Sequence, residues 1–153
     1  ILDKYPHSKR IITDHFNNFV NGTFEYRVDF DITTSWMTKL GKGERVHYHN
    51  HVNSMWSGVF YFDEYTDDDC ALQFTNPIRD TIPVSVKSYK NNVFTNDCAI
   101  TPEHNLLIFF PSLLYHHSQP NMTDERKSLA FNFMPNDLYG EGDSSYDPKW
   151  FQR

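Results

Sequence analysis

The chain has 153 residues, 39% of them hydrophobic and 16% aromatic, which predicts one globular domain and excludes disordered, collagen-like and coiled-coil chains. Fourteen Lys and Arg residues against 20 Asp and Glu residues give a formal charge of -6, so the basic surface typical of nucleic-acid binding is missing. The longest apolar runs are too short to cross a bilayer. We therefore expect neither nucleic acid nor a membrane as a partner.

The cysteines and the first residue bear on location and domain limits. Cys70 and Cys98 form neither a disulfide framework nor a CxxC pair, and we interpret them as buried free thiols. No leader precedes the first helix-like segment, which favours a cytoplasmic protein. We predict a single domain over residues 1–153, with the hypothesis of a truncated N-terminus left open because Ile1 is not Met.

The N-terminal region has the clearest helical pattern. Phe16, Phe19 and Val20 recur at helical spacing, and Gly22 is typical of a helix end. We predict a short amphipathic helix over residues 14–22.

The rest of the chain has the pattern of a β protein. Short runs rich in Phe, Tyr, Val, Ile and Thr are separated by Gly, Pro, Asn and Asp at intervals of roughly ten residues. This predicts seven or eight strands, as in a sandwich or barrel. The clearest candidate strands span residues 24–31, 45–51, 58–63, 71–74, 82–87, 106–110 and 127–133. The polar segment that begins at Gly140 is predicted to be a surface loop, and Trp150 and Phe151 after it to dock on the core.

Three of the eight histidines alternate along one predicted strand. His47, His49 and His51 occupy every second position of residues 45–51, so their side chains point to the same face. Imidazoles that converge inside a protein are costly to bury unless their nitrogens have partners, and a divalent cation would be such a partner. A solvated face of hydrogen-bonded histidines is the alternative interpretation.

Two further histidines follow a buried strand far downstream. Strand 106–110 ends at Pro111 and Ser112, and His116 and His117 come a few residues later. Two ligands on one strand and one on a distant strand leave three adjacent coordination positions open, as in non-haem iron sites. A closed zinc site would have four protein ligands. We expect His116 to bind the metal and His117 to face the opposite side.

The last predicted strand combines a polar and an apolar face. Alternation places Arg126, Ser128, Ala130 and Asn132 on one face. The other face carries Leu129, Phe131 and Phe133, which can pack outward against the N-terminal helix. An arginine, a serine two residues later and the small Ala130 are suited to bind a carboxylate through a bidentate fork and a hydroxyl group. An edge-strand arginine paired with a surface acid is the alternative interpretation.

Several short motifs, in this order and spacing, resemble the Fe(II)- and 2-oxoglutarate-dependent oxygenase superfamily. The motifs are His49-Asn-His51-Val-Asn53-Ser54, Ser57-Gly-Val-Phe-Tyr61, Phe110-Pro-Ser112, His116 and Arg126-Lys-Ser128-Leu-Ala130-Phe-Asn132. The resemblance is strongest to a family of 2-oxoglutarate-Fe(II) oxygenases common in marine bacteria and their phages, and it covers residues from about 45 to 133. The chain is more distantly similar to prolyl hydroxylases.

The resemblance implies an all-β-dominated fold, a double-stranded β-helix of the jelly-roll or cupin-like type with a short N-terminal helix. It implies a non-haem Fe(II), 2-oxoglutarate-dependent dioxygenase, expected to be a hydroxylase, that couples decarboxylation of 2-oxoglutarate to succinate with oxidation of an unidentified substrate. The implied partners are O2 and a small molecule or peptide side chain, in the cytoplasm of a bacterium or a phage-infected host.

The resemblance also implies a role for each of six residues. The metal ligands would be His49, His51 and His116, and the residues that hold the distal carboxylate of 2-oxoglutarate would be Arg126, Ser128 and Tyr61.

One implied ligand departs from the superfamily pattern. His51 stands where a carboxylate ligand is usual, and three neutral imidazoles would leave the full +2 charge of iron at the site. Asn53, Asp63 and His47 remain open as alternative third ligands.

Two other functions are compatible with the sequence. A cupin-like three-histidine metalloprotein with other chemistry, such as a thiol dioxygenase or an isomerase, would give Arg126 no role in binding 2-oxoglutarate. A jelly-roll binding or structural module without activity would bind no metal at neutral pH.

Overall fold

The computed structural model describes residues 1–77 and 97–148, which form two antiparallel β-sheets with one α-helix outside the larger sheet. Helix α1 spans Pro6–Phe24, and short 3-10 helices span Leu2–Lys4 and Gly142–Ser144. The strands are β1 (Phe30–Gly41), β2 (Trp56–Tyr61), β3 (Leu72–Phe74), β4 (Cys98–Ile100), β5 (Leu106–Pro111), β6 (His116–Ser118) and β7 (Glu125–Pro135).

The strand order of both sheets differs from the chain order. The larger sheet has the order β1-β7-β2-β5 and the smaller one the order β4-β3-β6, and every pairing is antiparallel. The predicted mostly-β architecture with an N-terminal helix is confirmed. Within the described part of the chain, no helix combines the length and apolar character that crossing a bilayer would require.

Helix α1 is longer than predicted at both ends. It begins at Pro6, whose fixed φ angle suits the first helical position, and it continues through Gly22 to Phe24. Glu25, with φ 54°, adopts the left-handed conformation that ends the helix. The helix face that carries Phe16 packs on the larger sheet, where the Phe16 and Phe133 rings stack with centroids 4.0 Å apart.

The predicted strand 24–31 is wrong, because Phe24 still belongs to the helix and the first strand starts only at Phe30. The pairing of β1 with β7 shifts between Ile32 and Thr34. This β-bulge reverses which side of the sheet successive residues face. The residues before the bulge pack under α1, whereas Trp36 beyond it lines the cavity on the other side. A simple alternation of apolar residues therefore does not exist in β1.

The predicted strand 45–51 is also wrong, since the segment forms only an isolated bridge between His49 and His116. A regular ladder would continue with a bond from the Ser118 N–H to the His47 carbonyl oxygen. That oxygen instead accepts a hydrogen bond from His49 Nδ1 at 2.7 Å, and the Ser118 N–H donates to the Val46 oxygen at 3.1 Å. A side-chain hydrogen bond thus interrupts the ladder.

Four other predicted strands are confirmed, with ends within two residues: 58–63 as β2, 71–74 as β3, 106–110 as β5 and 127–133 as β7. The three-residue strands β4 and β6 were not predicted. The predicted strand 82–87 and the docking of Trp150 and Phe151 lie outside the described residues. Cys70 is a buried free thiol as predicted, but Cys98 is exposed, because it lies on the short strand β4 of the smaller sheet.

The larger sheet presents different residues on its two sides. Apolar side chains of β2, β5 and β7 pack with α1 in an outer core that includes Phe16, Trp56, Phe131 and Phe133. The opposite side faces the smaller sheet and carries the polar face of β7. This inner side contains the candidate site.

Candidate active site

Three histidines meet at the mouth between the two sheets. His49 and His51 lie in the segment between β1 and β2, and His116 is the first residue of β6. One ring nitrogen from each lies within 4.8 Å of the others. The ring centroids are 4.3 Å apart for His49 and His116, 5.1 Å for His49 and His51, and 5.0 Å for His51 and His116. This spacing allows all three to contact one ion.

Backbone carbonyl groups fix the orientation of two of these rings. His49 Nδ1 donates to the His47 oxygen at 2.7 Å, and His116 Nδ1 donates to the Leu114 oxygen at 3.0 Å. A carbonyl oxygen only accepts, so the hydrogen of each neutral ring lies on Nδ1. Nε2 of both rings is then an unprotonated nitrogen, the form that binds metals.

Side chains orient the third ring. His51 Nδ1 lies 2.7 Å from Ser57 Oγ and 2.9 Å from Asn132 Oδ1, while its Nε2 lies 3.2 Å from His49 Nε2. With the hydrogen of His51 on Nδ1, both Nε2 atoms would be bare and would repel each other, whereas a cation between them would be attracted to both lone pairs. The donor set therefore fits a divalent metal ion.

Burial keeps two of the rings neutral. It lowers the pKa of His116 to about 4, and burial is likewise the main cause of the lowered pKa of His51. Both rings are therefore in the neutral form at neutral pH, in which one of the two ring nitrogens carries no hydrogen. Metal binding therefore does not have to displace a proton from either of them.

A cavity of about 400 Å³ opens beside the three histidines. Its walls come from β1, β2, β5, β7 and the smaller sheet, and they combine apolar side chains with the polar face of β7. Arg126, Ser128 and Tyr61 all line it. The cavity is large enough for a small organic acid.

The buried guanidinium of Arg126 has no counter-ion among the described residues. The Arg126 side chain is 2% exposed, and Nη2 donates a hydrogen bond to the Tyr61 hydroxyl at 2.8 Å. Arg126 Nε is buried without a hydrogen-bond partner. A buried, unpaired guanidinium is costly, so the cavity fits an anionic group such as a carboxylate.

Two hydroxyl groups accompany this guanidinium. Ser128, on the same face of β7 as Arg126, is 3% exposed, and Tyr61 is fully buried. Burial raises the pKa of Tyr61 to about 12, so its hydroxyl keeps its hydrogen. Because that oxygen already accepts from Arg126, its hydrogen can be donated to an anion.

The three residues left open as alternative third ligands are not part of the nitrogen cluster found among the described residues. Asn53 is exposed, and Asp63 lies 3.7 Å from Lys127 Nζ. His47 is exposed and serves the cluster through its carbonyl oxygen. His117 lies outside the nitrogen cluster of the described residues, as predicted.

Sequence analysis missed a set of buried polar residues behind His51. Ser54, Ser57, Ser112 and Asn132 are each at most 9% exposed and are joined by hydrogen bonds. They occur in the motifs that carry the resemblance, and Asn132 continues the polar face of β7. That alternation was the one signal that could have revealed part of the set.

Comparison with known proteins identifies the family of the chain. The sequence matches the family described as "Putative 2OG-Fe(II) oxygenase" over residues 34–132. This stretch contains all six residues predicted for the site. No curated protein sequence matches the chain.

Solved structures share the fold at low sequence identity. A 2OG-Fe(II) oxygenase-family oxidoreductase from Burkholderia pseudomallei aligns with a TM-score of 0.56 at 13% identity, over 76% of this chain and 50% of that chain. A Pseudomonas putida prolyl-4-hydroxylase aligns with a TM-score of 0.53 at 18% identity, over 78% and 61%. HygX from Streptomyces hygroscopicus, solved with iron bound, aligns with a TM-score of 0.57 at 11% identity, over 85% and 68%.

These alignments identify the fold as the double-stranded β-helix of 2-oxoglutarate oxygenases, which confirms the predicted fold class. The chain spans half the length of the Burkholderia protein and 61% of the prolyl hydroxylase. The family match, in contrast, extends over most of the chain, from β1 to β7. The chain therefore belongs to the 2OG-Fe(II) oxygenase family.

Proposed function

We propose that this chain is a non-haem Fe(II), 2-oxoglutarate-dependent oxygenase, most simply a hydroxylase. The observation that carries the proposal is the pairing, within one cavity, of three convergent imidazole nitrogens with a buried guanidinium for which the described residues provide no counter-ion. The nitrogens fit a divalent metal, and the guanidinium fits a carboxylate. A ligand that bears both a metal-chelating end and a free carboxylate satisfies both.

In this proposal His49, His51 and His116 hold the metal. Their Nδ1 atoms are occupied by hydrogen bonds, so each ring offers Nε2 without rotating. A metal held by only three protein ligands would keep the capacity to bind a chelating co-substrate.

Arg126 holds the distal carboxylate of 2-oxoglutarate, assisted by Ser128 and Tyr61. Nε and a neighbouring N–H group of Arg126 would form the bidentate fork, and the Tyr61 hydroxyl would donate its hydrogen. The co-substrate neutralises a buried charge for which residues 1–77 and 97–148 provide no anionic partner. This relief contributes to binding.

The bound Fe(II) and 2-oxoglutarate would supply the chemistry, in which O2 oxidises the co-substrate to succinate and CO2 and oxidises the substrate. The chain supplies orientation and a largely apolar cavity. Trp36, Val59, Leu72 and Phe110 line that cavity and limit the access of water.

The remaining expectations stay part of this proposal. The substrate is a small molecule or a peptide side chain, and neither nucleic acid nor a membrane is a partner. We propose that residues 1–153 act as one domain, and that the protein works in the cytoplasm, where the unpaired Cys70 and Cys98 would remain reduced.

Anaerobic titration of the protein with Fe(II) and then 2-oxoglutarate tests the proposal. The wild type should develop the weak visible charge-transfer absorption of an Fe(II) 2-oxoglutarate chelate, and Arg126→Ala should require far more 2-oxoglutarate to develop it. Iron binding without this absorption would favour the three-histidine metalloprotein with other chemistry. Failure to bind iron would favour a module without activity.

A further inference from the structure

The buried polar residues behind His51 form one connected chain of hydrogen bonds. Ser54 Oγ lies 2.7 Å from Ser112 Oγ, and Ser112 Oγ lies 2.8 Å from Ser57 Oγ. Ser57 Oγ in turn lies 2.8 Å from Asn132 Oδ1. These residues line neither the metal side of the His51 ring nor the cavity wall around Arg126. Their presence in the shared motifs therefore needs another explanation.

The direction of these hydrogen bonds follows from the donors available. Asn132 Oδ1 can only accept, so the single hydroxyl hydrogen of Ser57 is donated to it. Ser57 Oγ then accepts from Ser112, and Ser112 Oγ accepts from Ser54. The hydroxyl hydrogens of all three serines therefore point along the network towards Asn132.

This direction selects one form of the His51 ring. Asn132 Oδ1 and Ser57 Oγ are both available as acceptors at 2.9 Å and 2.7 Å from His51 Nδ1. A hydrogen on Nδ1 satisfies both acceptors, whereas a hydrogen on Nε2 would gain only the one longer contact with His49 Nε2 and would leave a bare Nδ1 facing oxygen lone pairs. The hydrogen bonds thus favour the form in which Nε2 is unprotonated and directed at His49 Nε2, 3.2 Å away.

His51 differs from the other two histidines in how it is held. The rings of His49 and His116 rest on carbonyl groups two residues away in the chain. The ring of His51 rests on side chains from β2 and β7, backed by Ser112 just after β5. Distant parts of the fold therefore have to come together to orient this one ring.

We propose that Asn132, supported by Ser57, Ser112 and Ser54, positions His51 as the third metal ligand by fixing its hydrogen on Nδ1. The inference rests on the proposed function in taking that metal to be iron. The network is uncharged, so it orients the ring without changing its charge. A neutral imidazole can then act as a ligand at a position where the superfamily usually has a carboxylate. Asn132 acts through His51 and is a positioning residue.

Co(II) affinity, measured by competition with a chromophoric chelator, tests this role without turnover. Asn132→Leu keeps the side-chain volume but removes the acceptor, and Co(II) should bind about 10–100-fold more weakly. Asn132→Asp keeps an acceptor oxygen, and its affinity should equal or exceed that of the wild type. A merely structural role predicts the reverse order of Co(II) affinities, because burying a carboxylate costs more free energy than burying leucine.

Asn17→Leu is the matched control. Asn17 also forms side-chain hydrogen bonds, to the Phe30 N–H at 2.9 Å and to its carbonyl oxygen at 3.1 Å, but it lies on α1 at the outer face of the sheet. The control should lose thermal stability and keep the Co(II) affinity of the wild type. Asn132→Leu with wild-type affinity, or Asn17→Leu with an equal loss, would overturn the inference.

Nitrogen-15 NMR of the histidine rings in the metal-free protein provides a second readout. The wild type should show His51 with its hydrogen on Nδ1, and Asn132→Leu should shift the population towards the Nε2 form. A wild-type His51 that carries its hydrogen on Nε2 would refute the positioning role. Neither readout involves 2-oxoglutarate. Co(II) binding that depends on Asn132, in a protein that does not take up 2-oxoglutarate, would therefore refute only the proposed function. Uptake of 2-oxoglutarate in a protein whose Co(II) binding does not depend on Asn132 would refute only this inference.

Discussion

Replacing Arg126 by methionine should stabilise the metal-free protein and abolish its response to 2-oxoglutarate. Arg126 is 2% exposed, and its Nε has no hydrogen-bond partner in the part of the chain that the structure describes. A buried polar group without a partner costs about 1–3 kcal/mol, and methionine removes that group while filling similar space. The substitution also removes the hydrogen bond from Arg126 to the buried Tyr61 hydroxyl, which offsets about 1 kcal/mol of this gain. At roughly 2–4 °C per kcal/mol in a domain of this size, the melting temperature should rise by up to about 8 °C.

Ligand binding should change the melting temperature in the opposite sense. With a redox-inert metal bound, 2-oxoglutarate at about 100 times its Kd stabilises the wild type by about 2.7 kcal/mol, or roughly 5–11 °C. Arg126→Met should show no such shift, because the distal carboxylate loses its cationic partner. Thermal unfolding of the Co(II)-loaded protein, followed by circular dichroism with and without 2-oxoglutarate, measures both quantities.

The neighbouring cation provides the control. Lys127 lies on the same strand but forms ion pairs with Asp63 and Glu125 at the surface, and exposed pairs contribute little to stability. Lys127→Met should therefore change the melting temperature only slightly and keep the full 2-oxoglutarate shift. If Arg126→Met instead melts several degrees below the wild type and still responds to 2-oxoglutarate, the guanidinium is a structural element and the cavity is not an anion site.

Three further substitutions test separate parts of the structure. His116→Ala should abolish Co(II) binding whereas His117→Ala leaves it nearly intact, and equal loss in both, measured by calorimetric titration, would contradict the ligand assignment. Gly58→Ala should destabilise the protein by about 1–3 kcal/mol in urea unfolding, because the added methyl group would overlap the Phe131 ring; an unchanged unfolding midpoint would show that this packing adjusts freely. Phe16→Ala should cost about 3–5 kcal/mol in the same assay, since the ring is fully buried, and a loss below 1 kcal/mol would mean that α1 contributes little to the core.

The polar face of β7 could be predicted because its cause is local. Successive side chains of a regular strand point to opposite sides of the sheet. The spacing of Arg126 and Ser128 was therefore enough to place them on the same side. Strand β1 could not be predicted in this way, because the bulge beside Ile32 reverses its alternation. The end of α1 was missed for a related reason, since Glu25 adopts a backbone conformation that residue type rarely favours.

The histidines lie close together as the sequence predicted, although the strand assumed for residues 45–51 is absent. His49 and His51 do lie together, but residues 45–51 form no strand. The hydrogen bond from His49 to the His47 carbonyl, which interrupts the ladder, is invisible to an argument from alternation. The contact of Asn132 with His51 was equally out of reach, because it joins residues 81 positions apart.

The register of β7 links the core of this protein to its chemistry. Phe131 and Phe133 point outward into the core under α1, and the residues between and before them, Asn132 and Arg126, point inward to His51 and to the cavity. A slip of one residue would exchange the two faces, burying the guanidinium in the aromatic core and moving the phenylalanines towards the metal. Burial of the aromatic rings therefore fixes the position of every site residue on the strand.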